Sequence, residues 1–271
     1  MKILITGGSG FIASHLSQFY EKDYEIIKTS RNDSSRISEI LLKEEPELIF
    51  HCGAEIYDND KMFESNIILT RNILEYCKTA KNLKKLVILG SSSEYGRKSN
   101  PMSENDVLNP ETMYEGTKAA CTAMASAYAN TYNINILLIR PFTIYGKGEK
   151  PRKFIQILLN KKQTGDKKVR ISPGMHDYVH IEDFIKAFDV ILNNNTKLFD
   201  IINIGTGVQT SNMDVMRIFE KAADYKFEEI EYIEHKTYDS NNWVCDTAKL
   251  NHYYKCEITL EEGLRKMIYE I

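Results

Sequence analysis

The sequence predicts an α/β protein built on a doubly wound parallel sheet, followed by a smaller C-terminal lobe. Three observations predict it. Short apolar runs alternate with longer segments of helical periodicity through the first half, a glycine-rich turn follows the first apolar run, and the alternation breaks after Tyr145. Apolar strands separated by helices imply parallel strands covered on both faces.

In order, "KILIT" (2–6) reads as a strand and "FIASHLSQFYEK" (11–22) as a helix. "YEIIKTS" (24–30) is the second strand, "ISEILLKEE" (37–45) a helix, and "ELIFHCGA" (47–54) a buried strand. A helix over 66–80, a strand over 84–93, a helix over 117–132 and a strand over 133–142 complete the series. Beyond it, "GKGEKPRK" is a basic connection, and the helical segments are interrupted by "SPGMHDYVH" and "NIGTGVQTS". These shifts divide the chain into a first domain over 1–145, to which 177–204 returns, and a smaller lobe over 146–176 and 205–271.

A length of 271 residues accommodates that arrangement. The net charge of −3 and a pI near 6.1 argue against nucleic-acid and membrane-surface partners. Five cysteines without a Cys-x-x-Cys argue against a disulfide framework or a zinc site, and a reducing cytoplasm is the expected location. No apolar run approaches the roughly 20 residues of a membrane span, and "MKILITGG" reads as a strand rather than a signal peptide.

"ITGGSGFIA" joins the first strand to the first helix, with Gly7, Gly10 and Ala13 at G-x-x-G-x-x-A. Small residues let the backbone turn tightly and approach a pyrophosphate, to which the helix N-terminus offers N–H groups and partial positive charge. The expected domain is therefore a dinucleotide-binding Rossmann domain. At the end of the second strand an acid would hold a ribose 2′-hydroxyl, whereas an arginine suits a 2′-phosphate. The chain reads "KTSRN", with Ser30 at the acid's place, Arg31 next and Asp33 beyond the strand end. NADP(H) is therefore favoured, NAD(H) is possible, and Arg31 as a solvated charge is the other reading.

"TGGSGFIASHL", "NIILTRNIL", "GSSSEYG", "YEGTK", "RPFTIYG", "HDYVHIEDF", "NIGTG" and "TLEEGL" occur in that order over nearly the whole chain. In them the sequence resembles the extended short-chain dehydrogenases/reductases, in the branch of sugar-nucleotide epimerases, dehydratases and 4-keto reductases. The stretch between Arg31 and Leu48 is too short for that family's usual third strand, so a six-stranded sheet is expected.

Tyr-x-x-x-Lys occurs four times, at Tyr24/Lys28, Tyr57/Lys61, Tyr114/Lys118 and Tyr232/Lys236. On a strand, residues four apart are separated by roughly 13 Å, which discounts the first pair. Two others lack a neighbouring serine-rich strand end. Tyr114 and Lys118 follow "GSSSEYG" and share a helix face. A phenol is a weak acid, with a pKa of about 10, and an adjacent ammonium favours its phenolate. The resemblance implies that Tyr114 exchanges the proton, Lys118 also holds the nicotinamide ribose, and Ser91 hydrogen-bonds the substrate oxygen. Ser92 and Ser93 are rivals for that last role or substrate contacts.

The resemblance further implies a cofactor site of Gly7, Gly10, Phe11, Ile12, Ser30, Arg31, Cys52, Gly53, Ala54, Tyr114, Lys118 and Pro141. For the substrate, a nucleotide sugar, it implies Ser92, Ser93, Thr143, Lys147, Arg152 and His176 in a substrate-binding lobe. Thr143 stands where the family has Asn and His176 where it has Arg, and "EYIEHKTYDSNN" lacks the family's further Arg. The basic cluster of Lys147, Lys150, Arg152 and Lys153 reads equally as pyrophosphate ligands or as a solvated loop, and His176 as a phosphate contact or a loop cap. Ser92 and Ser93 stand where the resemblance implies the Asp-Glu pair of the dehydratases, with Glu94 later, and no cysteine neighbours Ser91 as in the GDP-fucose-forming epimerase-reductases, so both chemistries are disfavoured. Ser, Tyr and Lys serve a 4-keto reductase and a 4-epimerase identically; Arg31, which favours NADPH, tips the choice to the reductase, with a non-enzymatic dinucleotide sensor as the third reading. His51 reads as a packed strand residue, and Asp177 and Asp183 as a structural turn and a helix start. The helices at 66–80 and 117–132 resemble those through which relatives dimerise, so a homodimer is expected, although both can equally just pack on the sheet.

Overall fold

The computed structural model describes residues 1–234 and 240–269, which form two compact units. The first comprises 1–96, 104–141 and 189–203. It contains β1 (Lys2–Thr6), α1 (Phe11–Tyr20), β2 (Glu25–Thr29), α2 (Ile37–Glu44) and β3 (Leu48–His51). The short α3 (Asn59–Met62), a π-helical turn over Phe63–Ile68 and α4 (Leu69–Cys77) follow, and then β4 (Lys85–Leu89), α5 (Met113–Tyr132) and β5 (Ile136–Pro141).

The sheet has six strands, ordered β2-β1-β3-β4-β5-β9, where β9 is Phe199–Ile204. Pairing along β2-β1-β3-β4-β5 is parallel throughout. Every residue of β3 and β4 is buried, as strands covered on both faces require. Alternation sorts their side chains: Leu4, Ile49, Leu86, Ile88, Ile136 and Leu138 pack with α2, α4 and α5. Phe50 meets Tyr20 of α1, at 5.4 Å between ring centroids. The order reverses at β1, so the C-terminal ends of β1 and β3 flank the crevice where doubly wound sheets bind ligands.

Two helices differ from their expected bounds. The segment expected as one helix over 66–80 divides into the π turn and α4 because Asn66 turns inward. Its side chain accepts from the Glu55 amide (2.7 Å) and donates to the Glu55 carbonyl and Thr117 hydroxyl (both 3.0 Å). Helix α5 begins at Met113, four residues before the expected 117, because Thr112 and Glu115 form a capping box.

The second unit comprises 97–103, 142–188 and 204–271. It contains β6 (Thr143–Tyr145), α6 (Phe154–Thr164), β7 (Lys168–Ile171), β8 (Met175–His180), most of α7 (Ile181–Asn194), β10 (Gln209–Ser211), α8 (Asn212–Ala223), β11 (Glu229–Tyr232) and α9 (Leu260–Tyr269). The segment that returns to the first unit is 189–203, shorter than the expected 177–204. Two carboxylates pin the second unit. Asp177 accepts from Thr206, Gly207 and Cys245, and Asp183 from Tyr254, Glu257 and Ile258. No helix among the described residues is long and apolar enough to cross a membrane.

His51, at the end of β3, is buried with both ring nitrogens bonded, Nδ1 to Thr6 Oγ1 (2.7 Å) and Nε2 to Thr70 Oγ1 (2.8 Å). The Thr70 hydroxyl donates to the Asn66 carbonyl, so Nε2 carries the ring proton and Nδ1 accepts. Burial, and then the charge of Lys118, push His51 down to about 3. An unfolded chain protonates this residue below about pH 6.5, whereas the folded protein resists until about pH 3. Its contribution to stability is therefore complete above pH 6.5 and is lost as pH falls towards 3. Urea unfolding should show stability falling between pH 6.5 and 4, by up to about 1.4 kcal/mol per pH unit, and His51→Gln should flatten that slope.

Candidate active site

The glycine turn is built around one close approach. Gly7 has φ +65°, and a Cβ there would lie 2.7 Å from Gly53 Cα, so the turns after β1 and β3 meet backbone to backbone. Gly10 N–H closes the turn onto the Gly7 carbonyl at 2.7 Å. Gly10 also caps α1 without a side-chain acceptor, and the first turn, Phe11 and Ile12 included, has no acid. A helix start that brings no acceptor or negative charge of its own fits an anionic pyrophosphate. Cys52, Gly53 and Ala54 follow β3, where Gly53 N–H donates to Thr6 Oγ1 at 3.0 Å.

At the end of β2, Ser30 caps a 3₁₀ turn, and its N–H and hydroxyl both donate to Asp33 Oδ2 at 2.8 Å. The Arg31 guanidinium reaches across to the buried Glu55 carboxylate, 2.5 Å away. The arginine expected for a 2′-phosphate is thus held by an acid of the chain itself, which nothing in the spacing of "KTSRN" signals.

Ser91 stands just beyond β4. Its hydroxyl pairs with that of Ser93 at 2.7 Å and accepts the Ser93 N–H at 3.2 Å, whereas Ser92 is buried. Two residues earlier, the Leu89 carbonyl accepts from Lys118 Nζ at 2.5 Å, placing the lysine of the Tyr114/Lys118 pair at the strand tip. Tyr114 is half-buried in the first turn of α5. Tyr24/Lys28 and Tyr57/Lys61 lack this setting. Lys28 lies on β2, Lys61 is bound by Asp58 at 2.5 Å, and Lys236 lies outside the described residues, as does part of "EYIEHKTYDSNN".

Beneath the strand tip lies a network that the site expectations did not include. Glu94, fully buried, accepts the Ser91 N–H on Oε1 (2.8 Å) and the Thr122 hydroxyl on Oε2 (2.6 Å). Arg140 of β5, also buried, supplies the counter-charge at 3.0 Å and donates to Tyr95, which in turn donates to Asn203. Tyr114, Lys118 and Thr122 are spaced by four and share one helix face. One carboxylate therefore ties the Ser91 strand tip to the helix face that carries Tyr114 and Lys118. A Cβ on Gly90 would come within 2.5 Å of Glu94 Oε1, so only glycine leaves room for it. Two signals were available in the sequence: Ser-x-x-Glu at 91–94, a capping-box spacing, and a single charge in the apolar run "ILLIRP".

Pro141 ends β5. The remaining candidates belong to the second unit. Thr143 on β6 pairs in register with Tyr178 on β8, whose ring meets His176 edge-on at 5.7 Å. Lys147 and Arg152 are exposed in the connection before α6.

A model of the NAD dependent epimerase/dehydratase family matches residues 3–205, and the chain belongs to this family. It is 29% identical over 274 residues to a dTDP-D-glucose 4,6-dehydratase of Dictyostelium discoideum, with 80% of this chain and 61% of the relative covered. A trifunctional UDP-glucose 4,6-dehydratase/UDP-4-keto-6-deoxy-D-glucose 3,5-epimerase/UDP-4-keto-L-rhamnose-reductase of Arabidopsis thaliana is 27% identical, with 97% of this chain and 46% of the relative covered. The chain thus spans about half to three-fifths of the length of these relatives. Among solved structures, the UDP-glucuronic acid 4-epimerase of Bacillus cereus in complex with UDP-glucuronic acid and NAD superposes with a TM-score of 0.87 at 25% identity, covering 99% of this chain and 98% of the other.

Removing Arg140 leaves the Glu94 carboxylate buried without its counter-ion. Arg140→Met should cost about 3–5 kcal/mol of stability, read as a lower urea midpoint. Thr122→Val, which deletes one hydroxyl, should cost about 1–2 kcal/mol.

Proposed function

We propose that this chain reduces a nucleotide-activated 4-keto (6-deoxy)sugar to the 4-hydroxy sugar, with NADPH as the reductant. The observation that carries the chemistry is the placement of Lys118 on the carbonyl at the β4 tip, two residues from Ser91 and one helical turn from Tyr114. When bound, the dinucleotide supplies a hydride. The protein's residues orient the ketone and manage one proton. Ser91 donates a hydrogen bond to the sugar C4 oxygen, and Tyr114 gives its phenolic proton to that oxygen as C4 is reduced. Lys118 stabilises the phenolate left behind and holds the nicotinamide ribose. Ser92, Ser93, Thr143, Lys147, Arg152 and His176 are assigned to the substrate, the cations among them to its phosphates.

Glu94 supports reduction over dehydration. It is the nearest acid after the strand-tip serines, yet it is fully buried and both its oxygens accept from the chain's own donors. It is therefore spent on structure and is no candidate acid or base for eliminating water. A second reading, an NAD-retaining 4-epimerase that oxidises and re-reduces C4 with the same three residues, is favoured by the Arg31–Glu55 pair, because a 2′-phosphate must compete with that carboxylate. The dinucleotide sensor, the third reading, has least support, since Tyr114 and Lys118 are both present on α5. Self-association through α4 and α5 and a cytoplasmic location complete the proposal, and sedimentation tests the former.

With a panel of nucleotide 4-keto sugars, the wild type should oxidise NADPH stoichiometrically, followed at 340 nm. Tyr114→Phe should lower kcat by about 10²–10⁴-fold while dinucleotide binding is kept. Turnover of a 4-hydroxy sugar without added reductant selects the epimerase, and undiminished turnover by Tyr114→Phe excludes both mechanisms.

A further inference from the structure

Arg31 and Glu55 meet where the turns after β2 and β3 face each other. Glu55 is 5% exposed, and its position does not depend on the arginine. Its Oε1 accepts the amides of Ile56 (2.9 Å), Tyr57 (2.9 Å) and Asp58 (3.3 Å), while Asn66 holds its backbone N–H and carbonyl. Burial works to raise this carboxyl, but the three amides together with Arg31 outweigh it and hold it below the usual carboxylate range. Glu55 is thus a fixed anion with one oxygen, Oε2, turned to Arg31, whose side chain is otherwise largely exposed.

The neighbouring donors are similarly engaged. Ser30 gives its N–H and hydroxyl to Asp33, whose other oxygen lies 3.5 Å from Arg36. A ribose 2′-hydroxyl is neutral and makes little demand on this arrangement. A 2′-phosphate carries close to two negative charges. To use Arg31 it must share the guanidinium with Glu55 or lie beside both acids, and like charges brought together lower affinity.

We propose that Glu55 is a specificity residue for the adenosine end of the cofactor: by holding Arg31 it weakens capture of a 2′-phosphate and lowers the affinity for NADP relative to NAD. The inference rests on the dinucleotide reading above, and it sets the direction in which the ratio moves whichever cofactor the wild type prefers.

Binding calorimetry with NAD and NADP on the whole chain tests it without any sugar. Glu55→Gln keeps an oxygen for the three amides and removes the charge. It should tighten NADP about tenfold, a typical effect of one charge-assisted hydrogen bond, and leave NAD within about twofold. In an Arg31→Ala background the gain should shrink to twofold or less. Arg31→Ala alone, an exposed change that spares the fold, should weaken NADP about tenfold or more and leave NAD unchanged. An equal change for both nucleotides in Glu55→Gln, a gain that persists without Arg31, or NADP binding indifferent to Arg31→Ala overturns this proposal alone. Failure of the wild type to bind either nucleotide overturns the dinucleotide reading and this proposal with it.

Discussion

The buried carboxylate of Glu94 is the contact on which the proposed catalytic arrangement depends. A strand that ends in a doubly wound sheet leaves its last amides without ladder partners, and at β4 one of these belongs to Ser91. A solvent-facing loop leaves such an amide to water and its residue to drift. Here Glu94 accepts the amide and the Thr122 hydroxyl together, so strand tip and helix are set against each other by a single rigid group. A buried anion is costly by itself. Arg140 offsets the cost from β5, lying 4.6 Å from the Tyr95 ring centroid as well as 3.0 Å from the carboxylate. An apolar cluster of the same volume could stabilise the region as well, but it would lack direction, and proton transfer depends on direction.

A second link of the same kind runs from the turn after β3 to the start of α5. The backbone of Glu55 is held by Asn66, Asn66 donates to Thr117, and Thr117 donates to the carbonyl of Tyr114. The turn that follows β3 and the residue proposed to move the proton therefore share a buried chain of hydrogen bonds. Together with the contact between Gly7 and Gly53, this joins the ends of β1 and β3 and the start of α5 into one frame. The π turn at Phe63–Ile68 belongs to it, since it carries the inward-facing Asn66.

Much of this was legible in the amino-acid order. The apolar runs marked the strands because a parallel sheet buries both faces, and the short interval between Arg31 and Leu48 matched six strands rather than seven. Tyr114 and Lys118 stood out from three similar pairs through the serines ahead of them, and Lys118 donates to the Leu89 carbonyl at the β4 tip. Contacts between loops distant in sequence were not legible. Arg31 and Glu55 are 24 positions apart, so the arginine read as available although an acid holds it. Glu94 was not among the expected site residues, because periodicity does not show that a carboxylate is spent on its neighbours. The boundary of the returning segment was misplaced for a related reason. Residues 177–188 have a strand-then-helix pattern suited to either unit, and their pins, Asp177 and Asp183, bond partners from 206 to 258.

Family membership is shown by the match over residues 3–205, and the proposed reduction at a sugar carbon rests on Ser91, Tyr114 and Lys118. Residue-resolved amide hydrogen exchange tests whether Glu94 locks the Ser91 strand tip to α5. With the lock in place, the Ser91 amide exchanges with an opening free energy close to that of Val87 and Leu138 in β4 and β5. Exchange of Ser91 as fast as that of exposed loop amides, with those strands still protected, would contradict it.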